Sequence, residues 1–93
     1  MQQQSVFKIK TNEVVAYTAA AGNSAACPLG INVVRVHVTS AAHIAIGKTA
    51  VATTSDALVP ANVPEYFRVF EGERVSAIQN AVGGNVHVTY MTL

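Results

Sequence analysis

The chain has 93 residues, of which 51% are hydrophobic and 12% are charged, and its formal net charge is +1. This near-neutral charge argues against a nucleic-acid binder and against an electrostatic binder of membrane surfaces, because both normally carry clusters of basic residues. The length suits one small domain spanning residues 1–93, and the single cysteine, Cys27, excludes an intrachain disulfide and a multi-cysteine zinc site.

The first ten residues are polar at first and then alternate, which predicts either a short strand or an extended N-terminal arm that reaches a neighbouring molecule. They lack the basic and apolar regions of an export signal. The uncharged stretch from Val14 to Val34 is long enough to cross a membrane. Its middle is rich in turn-forming residues, so we interpret it as a strand, a loop and a second strand of a soluble protein.

The strongest secondary-structure pattern lies at Ile31–Thr39, where Val34, Val36 and Val38 alternate with polar residues as in a half-buried strand. Shorter runs rich in β-branched and aromatic residues predict further strands. These runs are Val14–Thr18, His43–Ile46, Glu65–Phe70, Arg74–Gln79 and Val86–Tyr90, with a weaker strand within 48–55.

Glycines and prolines predict the segments between these strands. Residues 19–30 are predicted to form a loop, and residues 56–64, with Pro60 and Pro64, a connection or an edge segment. No long stretch repeats at the helical period, and short strands separated by frequent turns are typical of antiparallel sandwiches and barrels. We therefore predict an all-β fold, namely a small antiparallel β-sandwich or barrel of the jelly-roll type.

The small size and low charge content favour association with other molecules. A domain of this length buries only about 60–65% of the surface of its extended chain, and Cys27 alone cannot supply a stabilising disulfide. Oligomerisation is another common source of stability, and the cores of interfaces are depleted of charged residues. We expect a homodimer or homotrimer, with a stable apolar monomer as the alternative.

The three histidines, His37, His43 and His87, all fall in predicted strands. Three imidazoles can hold zinc with one open position, but these three lack a spacing that is diagnostic of such a site. His37 and His87 lie on the polar faces of their strands, where they would meet solvent or each other. We therefore expect neither a metal site nor a cofactor, and we interpret Cys27 as a small apolar filler.

No motif with a known catalytic mechanism is present, and we expect no enzymatic activity. Gly83 and Gly84 lead into a predicted strand, whereas a phosphate-binding loop leads into a helix. A small sandwich leaves little room for a cleft between two catalytic carboxylates. The carboxylates are Glu13, Asp56, Glu65, Glu71 and Glu73.

The strand Glu65–Phe70 carries large apolar groups on both of its faces. Either the strand is buried on both sides, or it bends so that Phe70 turns inward, or one face contacts another subunit. Tyr66, Arg68 and Phe70 share a face, and tyrosine and arginine are common anchors of protein interfaces. We take these three residues as the candidate subunit contact.

Six segments of the sequence together form a pattern over the whole domain that includes no catalytic motif. They are Val34–Val36, His43–Gly47, Leu58–Asn62, Glu65–Phe67, Gly72–Gln79 and Gly84–Thr89. Through these segments, residues 31–93 resemble small structural proteins of tailed-bacteriophage virions, and residues 1–30 match less clearly.

The resemblance implies a cement or decoration protein on the capsid exterior that binds copies of itself and the major capsid protein. A tail or fibre component is the first alternative. A small carbohydrate-binding β-sandwich is the second, although the chain has no Trp and only three Tyr residues to stack on sugars. We expect neither nucleic acid nor membrane as a partner.

Overall fold

The computed structural model describes residues 7–92, and within this range it contains eight strands and no helix. The alternating and β-branched runs of the sequence account for most of these strands. In chain order they are β1 (Lys8–Tyr17), β2 (Gly22–Asn23), β3 (Val33–Val38), β4 (Ala42–Gly47), β5 (Ala57–Val59), β6 (Glu65–Arg68), β7 (Arg74–Gln79) and β8 (Gly84–Thr92).

The strands form two antiparallel four-stranded sheets. Sheet A has the order β1-β8-β3-β6, and sheet B has the order β2-β7-β4-β5. The first strand therefore pairs with the eighth, the second with the seventh, the third with the sixth and the fourth with the fifth. This is the winding of a jelly-roll sandwich of eight strands, which confirms the predicted fold class.

The core lies between the inner faces of the two sheets, and the period-2 pattern of the central strands builds it. Val36 of β3 is the register partner of Val88 of β8, and both side chains are fully buried. Sheet B supplies Ile44 of β4 and Val75 of β7 to the same cluster. The intervening polar residues of β3 consequently point away from the core, to the outer face of sheet A.

Two short strands fall in segments that the sequence predicts as a loop and as a connection or an edge segment. β2 falls inside the predicted loop and is only two residues long. Its residues Gly22 and Asn23 pair with Ala77 and Ser76 of β7. β5 falls inside the proline-containing connection and forms one edge of sheet B, in agreement with the predicted edge segment.

The prediction of a weak strand within residues 48–55 is wrong. This segment crosses sheet B as a loop because side chains of β7 bind its backbone. The Ala52 N–H donates to Ser76 Oγ over 2.7 Å, and Arg74 Nε donates to the Ala50 carbonyl oxygen over 2.9 Å. These side-chain partners replace the ladder hydrogen bonds that a strand would need.

Residues 8–10 of the predicted N-terminal arm belong to the sandwich itself. Lys8, Ile9 and Lys10 lie in β1, and Ile9 is the register partner of Met91 in β8 of the same chain. The remainder of that predicted arm, residues 1–6, lies outside the described residues.

The uncharged stretch from Val14 to Val34 contains the end of β1, the short β2 and the start of β3. The interpretation as strand, loop and strand is thus confirmed. In residues 7–92 there is no helix with the length and apolar character needed to cross a membrane.

Candidate interaction surface

The strand β6 places the predicted contact residues on the outside of the molecule. Phe67 packs against the core and Val69 is buried, whereas Tyr66 and Arg68 point outward and Phe70 is exposed just beyond the strand. The alternation is a direct result of the pleat of a β-strand. The alternatives of a strand buried on both sides and of an inward-turned Phe70 are wrong.

Phe7 covers part of this outer surface. Its ring stacks on that of Tyr66, with the two centroids 6.0 Å apart and the planes inclined by 23°. Phe7 precedes β1 at one edge of sheet A, and Tyr66 lies on β6 at the other edge. The side chain of Phe7 therefore lies over the outer face of sheet A.

Two shallow grooves lie beside the stacked rings. The first has a volume of about 260 Å³ and the second of about 290 Å³. Phe7, Asn32, Val33, Tyr66, Phe67 and Arg68 line the first. Phe7, Ile9, Arg35, Tyr66, Thr89 and Met91 line the second.

We call this surface the aromatic face and define it by Phe7, Ile9, Val33, Arg35, Tyr66 and Arg68. Both grooves are smaller than the usual 300–1,000 Å³ of a small-molecule pocket, so they suit the side chains of a macromolecular partner better than a buried small molecule.

The aromatic face combines exposed apolar side chains with positive charge. Ile9 is 65% exposed and Tyr66 is 53% exposed. The residues that line the two grooves include Arg35 and Arg68 and no carboxylate. A partner that presents apolar and acidic groups would be complementary to this face.

The three histidines do not come together. His37 of β3 and His87 of β8 are register partners with ring centroids 5.8 Å apart. His43 lies in sheet B, where one ring nitrogen contacts the Asp56 carbonyl oxygen at 2.8 Å and the other contacts Asn80 Oδ1 at 3.0 Å. Within residues 7–92 no three histidine, cysteine or acidic side chains are grouped closely enough to hold a metal ion.

Cys27 is buried and free, and its interpretation as a small core filler is confirmed. Burial raises the pKa of its thiol above the ordinary value of 9.0, and the nearby charges of Glu73 and Glu71 raise it further. The thiol form is therefore favoured in the folded protein, which disfavours nucleophilic chemistry at this residue.

The alternation of the sequence predicts that Tyr66 and Arg68 share a face, and the structure shows that this face points outward, but the sequence gives no sign of the contribution of Phe7. The short alternating run that contains Phe7 indicates a strand or an arm, yet no local signal indicates that its ring lies on a residue at the far edge of sheet A. Asn32 and Arg35 were likewise not identified as groove residues.

Comparisons with known proteins give no relative for this chain: no family model, curated protein or solved structure matches it.

Proposed function

We propose that the chain is a structural protein of a bacteriophage virion, a cement or decoration protein that binds copies of itself and the major capsid protein on the capsid exterior. The likeness of residues 31–93 to small virion proteins supports the assignment to a phage particle. The observation that carries the binding role is the aromatic face, where Phe7, Ile9 and Tyr66 leave apolar surface in solvent.

The composition of the aromatic face supports binding to a macromolecule. The outer face of a sheet that meets only water is normally polar, whereas this one carries stacked aromatic rings flanked by Arg35 and Arg68. Tyrosine and arginine are enriched among the residues that dominate binding energies. Covering these rings removes apolar area from water, which favours association.

A cement role needs only modest contacts of this kind. A capsid presents many copies of the same site, and linked contacts give a combined affinity well above that of any one contact. A protein that binds the assembled shell and not its free subunits stabilises the shell by mass action. Jelly rolls occur in lectin domains as well as in capsids, so the fold alone does not favour a capsid role. The support for the proposal is the aromatic face and the resemblance of residues 31–93 to virion proteins.

The test is sedimentation of the purified protein with capsid shells that lack it. We expect saturable binding that the substitution Tyr66→Ala weakens at least about tenfold, since truncation of an interface anchor costs about 2 kcal/mol or more. Val82→Ala is the matched control, because Val82 is 62% exposed and lies in the turn between β7 and β8, away from the aromatic face. Absence of binding to shells, or equal effects of the two substitutions, contradicts the proposal.

Electron microscopy of the particle distinguishes the capsid from the tail. Density for the jelly roll on the outer shell is the expected result. Density confined to the tail or its fibres overturns the cement role and supports the alternative of a tail component.

A carbohydrate-binding role is the second candidate, since the exposed ring of Tyr66 lies beside Asn32 and Arg68 in the first groove. An aromatic ring can stack on a sugar while the polar side chains beside it bind the hydroxyl groups of that sugar. A clear hit on a glycan array that Tyr66→Ala abolishes would replace the cement proposal.

A further inference from the structure

His37 and His87 form a cross-strand pair on the outer face of sheet A. They are register partners in the antiparallel ladder of β3 and β8. Their ring centroids lie 5.8 Å apart, and the ring planes are inclined by 63°. We propose that the two imidazoles bind a divalent transition-metal ion of the zinc, nickel and copper class.

The separation of the rings suits one shared ion. Zinc lies about 2.0–2.1 Å from a histidine nitrogen, and the ring centre lies roughly 1 Å beyond that nitrogen. Two imidazoles at a tetrahedral angle therefore place their ring centres about 5 Å apart. The observed 5.8 Å needs only a small rotation of two half-buried side chains at the surface.

The ring nitrogens of the pair are available for a metal ion. In the part of the chain that the structure describes, no hydrogen bond engages a ring nitrogen of His37 or His87. Both nitrogens of His43 are instead taken by Asp56 and Asn80. Metal binding at the pair thus breaks no hydrogen bond between described residues, whereas binding at His43 would break at least one.

The type of ligand that the pair offers favours a borderline or soft ion. Val14 of β1 is the register partner of His87 on its other side, and Arg35 precedes His37 by two residues on the same face. The described residues provide no third histidine, no cysteine and no carboxylate at this site. Neutral imidazoles suit zinc, nickel and copper, whereas magnesium and calcium require oxygen ligands.

Two ligands also hold the ion better than one. The backbone ladder fixes both strands, so the second metal–nitrogen bond forms within the molecule. Such linkage strengthens binding by about 10²-fold or more over a single ligand. The other coordination positions stay open, which distinguishes this site from the closed zinc sites that stabilise small folds.

The experiment is a titration of the full chain with ZnCl₂. Calorimetry measures the heat of binding, the NMR signals of the imidazole rings report which histidines bind, and MgCl₂ is the control salt. We expect one zinc ion per chain, shifts of the His37 and His87 ring signals, and no heat with magnesium. His37→Gln and His87→Gln are each expected to weaken zinc binding about a hundredfold. Both variants retain His43, whose ring signals report any zinc binding outside the pair.

Zinc affinity that survives either substitution overturns the proposal, as does a shift of the His43 signals alone or no heat with ZnCl₂. Thermal melts of the two variants establish that a lost affinity does not reflect unfolding. Because both rings lie half-buried on the outer face of sheet A and outside the core, we expect melting temperatures close to that of the wild type.

Discussion

The hydroxyl oxygens of Ser24 and Tyr90 lie 3.1 Å apart and join the two sheets through the core. Tyr90 belongs to β8 of sheet A, and Ser24 directly follows β2 of sheet B. The Ser24 oxygen also accepts a hydrogen bond from the Val75 N–H over 2.9 Å, and the Tyr90 hydroxyl donates to the Ala25 carbonyl oxygen over 3.0 Å. A polar cluster thus fixes the position of one sheet on the other.

Tyr90→Phe is expected to lower the free energy of unfolding by about 1 kcal/mol, since the ring still fills the core and only the hydroxyl is lost. For a domain of this size that corresponds to a fall in melting temperature of about 4–8 °C. Ser24→Ala is expected to cost about 1–3 kcal/mol, because the Val75 N–H loses its side-chain acceptor.

Thermal and urea denaturation followed by circular dichroism measure both losses. The double variant should lose less than the sum of the two single losses, because the two hydroxyls share a hydrogen bond. Strict additivity would contradict the coupling of the sheets through this pair.

Alkaline pH is expected to destabilise the fold. Burial raises the pKa of Tyr90 above its ordinary value of 10.0, although the hydrogen bond from Ser24 opposes this effect. Since the folded pKa is the higher one, the stabilising contribution is complete below pH 10.0 and is lost as the pH rises through the folded pKa. Urea denaturation between pH 8 and about 11 measures the loss, and Tyr90→Phe should show a smaller decline. An equal decline in that variant would assign the effect to other groups.

Cys27 is expected to resist alkylation while the chain is folded. The side chain is buried, and both burial and the charges of Glu73 and Glu71 favour the thiol over the reactive thiolate. Iodoacetamide at pH 8 should modify the native protein at least about tenfold more slowly than the same chain in urea, since reaction then requires opening of the fold. Equal rates, measured by mass spectrometry, would show that the thiol is accessible.

The sequence predicts those parts of the sandwich whose signals are local. The alternation around Val36 and Val88 identifies the inner faces of β3 and β8, because the pleat turns a pattern of period two directly into burial. The same pattern predicts that Tyr66 and Arg68, two of the six residues that define the aromatic face, lie on one face of β6.

The remaining features depend on contacts between distant parts of the chain. β2 exists because Asn23 meets Ser76, whose hydroxyl donates to Asn23 Oδ1 over 2.6 Å. The stacking of Phe7 on Tyr66 likewise joins the two edges of sheet A. Such pairings carry no periodic signal, so propensity and alternation cannot predict them.

Gly22→Ala is expected to destabilise the fold by about 1–3 kcal/mol. A Cβ atom at this position would collide with the carbonyl oxygen of Ala16, a backbone atom that cannot move without disturbing β1. Gly47→Ala is the matched control, since the nearest atom to its added Cβ is the Ala50 Cβ at 3.7 Å, and an alanine there should be neutral or slightly stabilising. Urea denaturation of the two variants measures the difference, and equal stabilities would contradict the close approach of β2 to β1.

Phe70→Ser is expected to weaken self-association while it leaves the stability of the protomer almost unchanged. The ring is 60% exposed, so its loss should change the free energy of unfolding by no more than about 0.5 kcal/mol. If Phe70 anchors a contact between copies, the dissociation constant should rise about tenfold or more. Sedimentation velocity over a range of concentrations measures association, and urea denaturation measures stability.

Val82→Ser provides the control for this last prediction, since Val82 is exposed to a similar degree but lies in the turn between β7 and β8. We expect it to alter neither association nor stability, because an isolated exposed apolar residue is normal on a protein surface. An unchanged oligomer in Phe70→Ser would remove Phe70 from the subunit contact. A loss of oligomer in both variants would indicate a general effect of surface hydrophobicity instead of a specific contact at Phe70.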